Sequence, residues 1–482
     1  MKEKSYKHIF EWRLPDNSII AFLLILCFAI FISYSLSFPN PYIWLLLIGG
    51  IIGAFIFKNH ETGLVLMFIS LFILDWLSEV IGIIPRQITW VPEIILIILF
   101  FKVLFLVATE KRSANAIITI PILFLIGLGV ISAFINSIEL MVAFAGFRNY
   151  FKFILFFYAI TFLNCSDAFL RKMVKFLIVI AFVQIPVAVS QRLFYIGLAS
   201  GDPIGGTLGS NTSGTLTLFL LSTISFLVGF FNNKLIRGRV LLSFMILLFI
   251  PMTINETKIT FFLFPVLMLF LLRKNILLRH NLKSIFAIVF FSGVVFAISY
   301  FSYTYIYNEI LQKKIRLFNY NFAHKQLTTK YADSGSLNRI FQVEFAHNNI
   351  TKNIYTTLLG VGPGNASHSF FEKGIGSYYR EYRTLEIDSV FLGRFIWEYG
   401  YLGLAIFLYI LFRLFGLAEK IYNNSPDPFY KSLALGFEGM MLILVVTTIY
   451  SDSFIIDSIG YFFWFIAGFL QRIHTNSLVS FD

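Results

Sequence analysis

The chain is short of charge. Only 13% of its 482 residues are Asp, Glu, Lys or Arg, where a soluble domain carries roughly 25%. With 58% hydrophobic residues, too little polar surface remains to clothe a water-soluble globule, and the chain reads as a polytopic membrane protein. Cysteine is nearly absent. Cys27 falls in the first apolar span and Cys165 in a connection, which excludes a disulfide framework. No His, Cys or acidic spacing resembles a zinc site, and no acidic pair forms a metal motif, so neither a metal nor a cofactor is expected. No internal repeat relates the two halves, inverted or parallel, which weakens a transporter reading. The net charge of +12 implies no nucleic-acid partner, because Lys and Arg are needed to set topology.

What the chain does have is apolar runs of span length, about 20 residues each in a bilayer. The expected fold is an all-α polytopic integral membrane protein with about 12–14 transmembrane helices. Candidate spans cover 18–37, 41–57, 62–75, 92–109, 115–135, 149–164, 173–192, 213–232, 239–254, 259–272, 284–302, 396–416, 429–449 and 454–471. The basic run Met1–Arg13 precedes an apolar segment with no small-residue cleavage site, and that segment reads as a retained span. The chain divides into an N-terminal bundle (1–301), one long, partly helical polar interval (302–387) and a C-terminal membrane segment (388–482). The 59 Phe residues read as lipid-facing filler rather than a binding surface.

Charge sorts the connections. With the N-terminus in the cytoplasm, basic residues crowd the inside segments, and the short outside loops hold only Arg86, Arg148, Arg192 and Lys258. This orientation puts both termini inside and the long interval outside. Topology does not explain the external cations. Ionisable residues at the ends of spans are costly unless paired or water-facing. Arg148, Arg192, Lys258 and Arg339 open on one side and would suit a phosphate-bearing ligand. Snorkelling to lipid headgroups is the competing account for each alone.

The interval contains LLGVGPGNASHSFF (Leu358–Phe371). Its glycines are followed by no apolar helix and sit outside the membrane, which excludes a dinucleotide fingerprint. A rigid turn holding the loop near the membrane fits better. Asp388, two residues after Glu386, stands just before an apolar run, either as a helix cap or as a general base for a bound hydroxyl. His368 is a second external titratable candidate; His324 and His347 read as solvated loop residues.

Four stretches resemble the bacterial O-antigen ligase and polymerase superfamily. GGTLGSNTSGTLTLFLL (Gly205–Leu221) is similar to its G-T-F-G-N-x-N stretch, and NETKITFFLFPVLMLF (Asn255–Phe270) to its S-R-x-x-x-L-A stretch, with Lys258 where the family has Arg. LNRIFQVEFAHNNITKNIYTTLLGVGPGN (Leu337–Asn365) resembles the R-x-x-x-W…G-x-G stretch, making Arg339 the family arginine. DSVFLGRFIWEYGYLGL (Asp388–Leu404) resembles the H-N-x-x-L…E-x-G-x-x-G segment. Family ligases have His where Asp388 aligns and Asn where Ser389 stands.

The resemblance implies a metal-independent glycosyltransferase at the outer face of the bacterial cytoplasmic membrane, with a polyprenyl-diphosphate-linked glycan as donor and another as acceptor. Arg148, Arg192 and Lys258 would hold the diphosphate, with Arg339 on the loop side. Asp388 would take the acceptor proton or orient the sugar, and His368 and Glu386 would contact substrate from the loop. The missing His moves the expectation from a ligase to a repeat-unit polymerase of capsule, exopolysaccharide or O-antigen. A flippase and a chain-length regulator would be its partners, besides membrane lipid. A ligase, a lipid-linked oligosaccharide flippase and a non-enzymatic assembly factor remain the alternatives.

Overall fold

The computed structural model describes residues 41–110, 116–194, 203–279 without Glu256 and Lys258, scattered positions between 290 and 305, and 329–479 without 333, 334, 370 and 371. Regular structure among these residues is helical; the one β feature is an isolated antiparallel bridge between Tyr331 and Leu337. A helix satisfies its own backbone polar groups, which is what lipid demands of a spanning segment.

The helices are α1 (Pro41–Lys58), α2 (His60–Asp75), α3 (Val91–Glu110), α4 (Thr119–Ile135), α5 (Leu140–Phe162), α6 (Asp167–Phe194), α7 (Ser213–Asn232), α8 (Gly238–Ile254) and α9 (Ile259–Arg279). After the partly described interval come the short α10 (Arg339–Ile350), α11 (Ile354–Leu359) and α12 (Ser377–Tyr382), then α13 (Phe391–Asn424), α14 (Pro428–Thr447) and α15 (Asp457–Val479). Met1–Asn59, with α1, forms one compact unit and His60–Asp482 the other.

Among the described residues, 7 helices are long and apolar enough to cross a membrane, built on α2, α3, α5, α6, α7, α13 and α14. Shorter apolar helices include α4 and α8. The protein is therefore all-α, with the helices of a polytopic membrane protein. The expected span 18–37, and Cys27 with it, lies outside the described residues, as do most of 284–302 and the first part of the polar interval.

Two boundaries differ from expectation. α5 starts at Leu140 rather than 149, because LMVAFAGF continues the helix back to Glu139. Arg148 therefore stands on a helix, not in a short outside loop. α13 starts at Phe391 rather than 396 and runs on to Asn424.

The centre of the larger unit is built by α5, α7, α14 and α15. Small residues let these helices approach closely, as membrane packing requires. A side chain at Gly229 of α7 would meet the Ser432 carbonyl of α14 at 2.3 Å, and one at Gly468 of α15 would meet the Phe157 carbonyl of α5 at 2.9 Å.

Contacts among the connections mark two ends of the larger unit. At one end Arg171 pairs with Asp427, Arg472 donates to the Leu163 carbonyl, and the Ser166 amide donates to Glu61 at 2.8 Å. The other end collects the turns after α2, α4, α6 and α14 together with α10–α12.

Candidate functional site

The site end is organised by a break in α13. Gly400 leaves the helix with φ 62° and ψ −168°, a region open to glycine and costly for other residues. The break frees the carbonyls of Trp397 and Glu398. These accept from the amides of Val361 (2.7 Å) and Gly362 (3.1 Å) in the glycine run, so irregular backbone at this level is still paired. The same run lies against α4 and α5. The Gly360 carbonyl accepts from Ser132 Oγ and Asn136 Nδ2, both at 3.2 Å. A side chain on Gly364, whose φ is 81°, would meet the Val142 carbonyl at 2.1 Å. The glycine run is thus a wedge that fixes the loop to the bundle, in line with the rigid turn expected of it.

Above the wedge, α10–α12 fold over Trp397. Ile350, Val361, Ala366, Ile387 and Ile396 form a small core with it, faced by the rings of Phe345, Tyr378 and Tyr382. Asn365 stitches the cap together: its Nδ2 donates to the Val361 carbonyl, and its Oδ1 accepts from the Ser377 amide at 2.9 Å.

This cap delivers Asp388. Ile387 and Val390 on either side are fully buried, and Ser389 is bound to Gln342 of α10, whose Nε2 donates to its Oγ at 2.7 Å. Asp388 is not the cap of α13. Val390 takes that position, and the first amides of the helix go to the α14–α15 turn, Phe391 to the Ser451 carbonyl and Leu392 to that of Thr448. The half-buried carboxylate instead accepts from the His368 amide at 2.9 Å. The exposed His368 ring stands edge-on to Tyr379 at 5.8 Å. Burial, and then the Asp388 charge, pushes the Tyr379 hydroxyl above its ordinary value, so it remains a donor at neutral pH.

Within electrostatic range of Asp388 lie two groups that the sequence did not single out. Arg394, 5% exposed, donates from NH1 to Asp452 at 2.9 Å. Its guanidinium lies 5.6 Å from the Tyr150 ring of α5. Asp452 comes from the turn between α14 and α15. Burial pushes its carboxyl up to about 6, Arg394 opposing the shift and Asp388 adding to it. One turn below Arg394 is Glu398, wholly buried and facing the Tyr150 hydroxyl. One cation thus stands among three carboxyl groups.

No protein-family model matches the chain, and no curated protein matches it. Any functional assignment therefore stands on residues and geometry.

The other expected site residues are dispersed. Arg148 makes a fork with Glu93 of α3, Nε to Oε2 at 2.6 Å and NH2 to Oε1 at 2.5 Å, and stacks 4.8 Å from the Trp90 ring. Lys152, one turn on, bridges Glu93 (3.1 Å) and Asp457 (2.5 Å). Arg148 also borders a polar cavity of about 80 Å³ with Ser70, Asp75, Thr89, Glu93 and Asp457. Its fork is closed on a carboxylate, so a phosphate would have to displace Glu93. Arg192 is buried in the last turn of α6. Its neighbour Gln191 holds the Gly206 amide at 2.8 Å, which fixes the glycine-rich loop before α7. Arg339, exposed at the start of α10, donates to the Tyr450 carbonyl and lies 4.2 Å from that ring. It therefore grips the same turn that supplies Asp452. Glu386 is exposed in left-handed backbone, φ 53°. Lys258 lies outside the described residues.

The structure thus gathers Asp388, His368, Arg394 and Asp452 at one place and sets Arg339, from α10, against the adjoining turn. Arg148 faces a different neighbourhood across α5. The signal for Arg394 was present in the sequence, since an Arg inside the apolar run Phe391–Phe412 is costly unless paired. Asp452 was marked only by the polar triplet Ser451–Ser453 between two spans.

Proposed function

We propose that the protein is a membrane glycosyltransferase that joins polyprenyl-diphosphate-linked oligosaccharide repeat units into a surface polysaccharide at the outer face of a bacterial cytoplasmic membrane. The observation that carries this reading is the placement of Asp388. A half-buried carboxylate stands at the mouth of a broken span, under a cap of short helices, beside a buried arginine. The four sequence stretches that resemble the ligase and polymerase superfamily supply the substrate class, and two of them, Leu337–Asn365 and Asp388–Leu404, form this cap, wedge and half-helix.

The chemistry follows from the arrangement. The acceptor sugar hydroxyl attacks the anomeric carbon of the donor. Asp388 takes the hydroxyl proton, the new glycosidic C–O bond forms, and the bond to the diphosphate breaks with its electron pair leaving on the phosphate oxygen. A positioned base contributes about 10²–10⁴-fold to such a step. Fixed cations stabilise the departing diphosphate. Arg339, exposed beside the site, is the described arginine best placed for this; Arg192 and Lys258 retain the role that the resemblance gives them.

The ligase reading differs in the acceptor, and Asp388 and Ser389 in place of the family His and Asn favour the polymerase. The test is to supply repeat units on their lipid diphosphate to the outer face of vesicles containing the protein. Lengthening of the glycan without an energy source is the expected outcome. Transfer only to an added non-glycan lipid acceptor would make the protein a ligase, and movement across the bilayer without extension would make it a transporter.

A further inference from the structure

Arg394 is nearly out of reach of solvent, so its role is not to hold substrate. Its neighbours say what it does. On its own helix it has Glu398, one turn away; from the α14–α15 turn, Asp452 at 2.9 Å; from the cap, Asp388; and from α5, the ring and hydroxyl of Tyr150. Asp452 in turn faces Arg394, Asp388 and Glu398. Arg339 holds the turn from the cap side through the Tyr450 carbonyl. The amides of Phe391 and Leu392 hold it from below. Asp452 and Arg394 therefore sit on two elements locked together within a few residues of Asp388.

We propose that Arg394 is a positioning residue that sets the charge at Asp388, and that Asp452 switches it by sharing or releasing its guanidinium. The proposal rests on the reading of Asp388 as the group that takes the acceptor proton.

The physical argument is competition for one cation. When Asp452 is ionised, the Arg394 charge is closed on it, and the Asp388 carboxylate is left to the acceptor hydroxyl. When Asp452 is protonated, the guanidinium turns its charge on Asp388 and competes with that hydroxyl for the carboxylate. The burial that pushes Asp452 up to about 6 puts the switch in an accessible range.

The experiment uses the full-length protein in vesicles with lipid-diphosphate-linked repeat units as donor and acceptor, followed from pH 5 to 8. In the wild type, kcat should rise through about pH 6 with KM unchanged. Asp452→Asn mimics the protonated state. It should lose that rise and stay about tenfold slower at pH 7.5, a part of what a positioned base contributes. Arg394→Gln should change kcat and abolish the same limb, and Arg394→Lys should restore part of it. Variants that keep the wild-type pH profile per folded molecule overturn the proposal, including the case in which they only reduce the amount of folded protein.

Infrared titration of the same proteins reads the cluster without turnover. A protonated-carboxyl band that titrates near pH 6, absent in Asp452→Asn and displaced in Arg394→Gln and Asp388→Asn, is expected. No such band, or one indifferent to Arg394 and Asp388, overturns the coupling. A wild type that shows the band and extends no glycan overturns the polymerase reading while supporting the coupling.

Discussion

Two charged clusters flank α5, and they are built on opposite logic. On one face Arg148 and Lys152, one helical turn apart, meet Glu93 and Asp457 as matched pairs with short bonds, and Asp75 borders the same cavity. On the other face, around Tyr150, a single buried cation stands among Asp388, Asp452 and Glu398. A matched set can close on itself and lock α3, α5 and α15 together. An unmatched set leaves two of its three carboxyl groups without a cation of their own, and carboxyl groups in such places are candidates for function. The contrast teaches that an arginine near a membrane surface is not by that fact a ligand site; what decides is whether its partners already neutralise it.

The largest effect should come from the element that holds the unmatched cluster together. A methyl group at position 400 would meet the Leu358 carbonyl at 2.5 Å, in backbone with φ +62°. Gly400→Ala should therefore cost about 3 kcal/mol or more and loosen the cap from α13. Limited proteolysis of 329–390 would register it as cleavage that the wild type resists. Unchanged resistance would mean that the wedge does not depend on the break.

The matched cluster should answer next. Arg148→Ala leaves Glu93 mostly buried with Lys152 as its remaining cation, and should lower stability by about 3 kcal/mol, read as thermal unfolding in detergent. Arg148→Gln with Glu93→Gln removes both partners and should recover most of that loss. A rate defect in Arg148→Ala that the double variant fails to recover would move Arg148 into the reaction.

The smallest expected effect is the pH dependence of stability due to Asp452. A carboxyl raised to about 6 holds its proton in the folded state at pH values where the unfolded chain has released it. Stability from this group is therefore present at low pH and lost as pH rises from about 4 to 6. Asp452→Asn should flatten that slope in thermal unfolding; an unchanged slope would assign it to other groups.

Much of the architecture was legible in the sequence because apolar run length and the need to pair backbone groups in lipid leave few options. The runs that became α3, α7 and α14 were placed within a few residues. The glycine run could be read as a turn, since no helix of dinucleotide-binding type followed it. What the sequence could not disclose is rotation about helix axes. Glu93 lies 55 residues before Arg148, and Asp452 58 residues after Arg394. Both pairings depend on which faces of different helices meet. The cap reading of Asp388 rested on the pattern Asp-Ser before an apolar run. The structure overturns it because α13 starts two residues further on than a cap at Asp388 requires and bonds its first amides to a distant turn.

The most direct measurement compares the two faces of α5 in one assay, as glycan extension per folded molecule by Asp388→Asn and by the Arg148→Gln/Glu93→Gln pair. If the chemistry belongs to the unmatched cluster, Asp388→Asn should fall by about a hundredfold or more while the pair stays near the wild-type rate. The reverse pattern, a near-normal Asp388→Asn beside an inactive pair, would contradict the placement of the site.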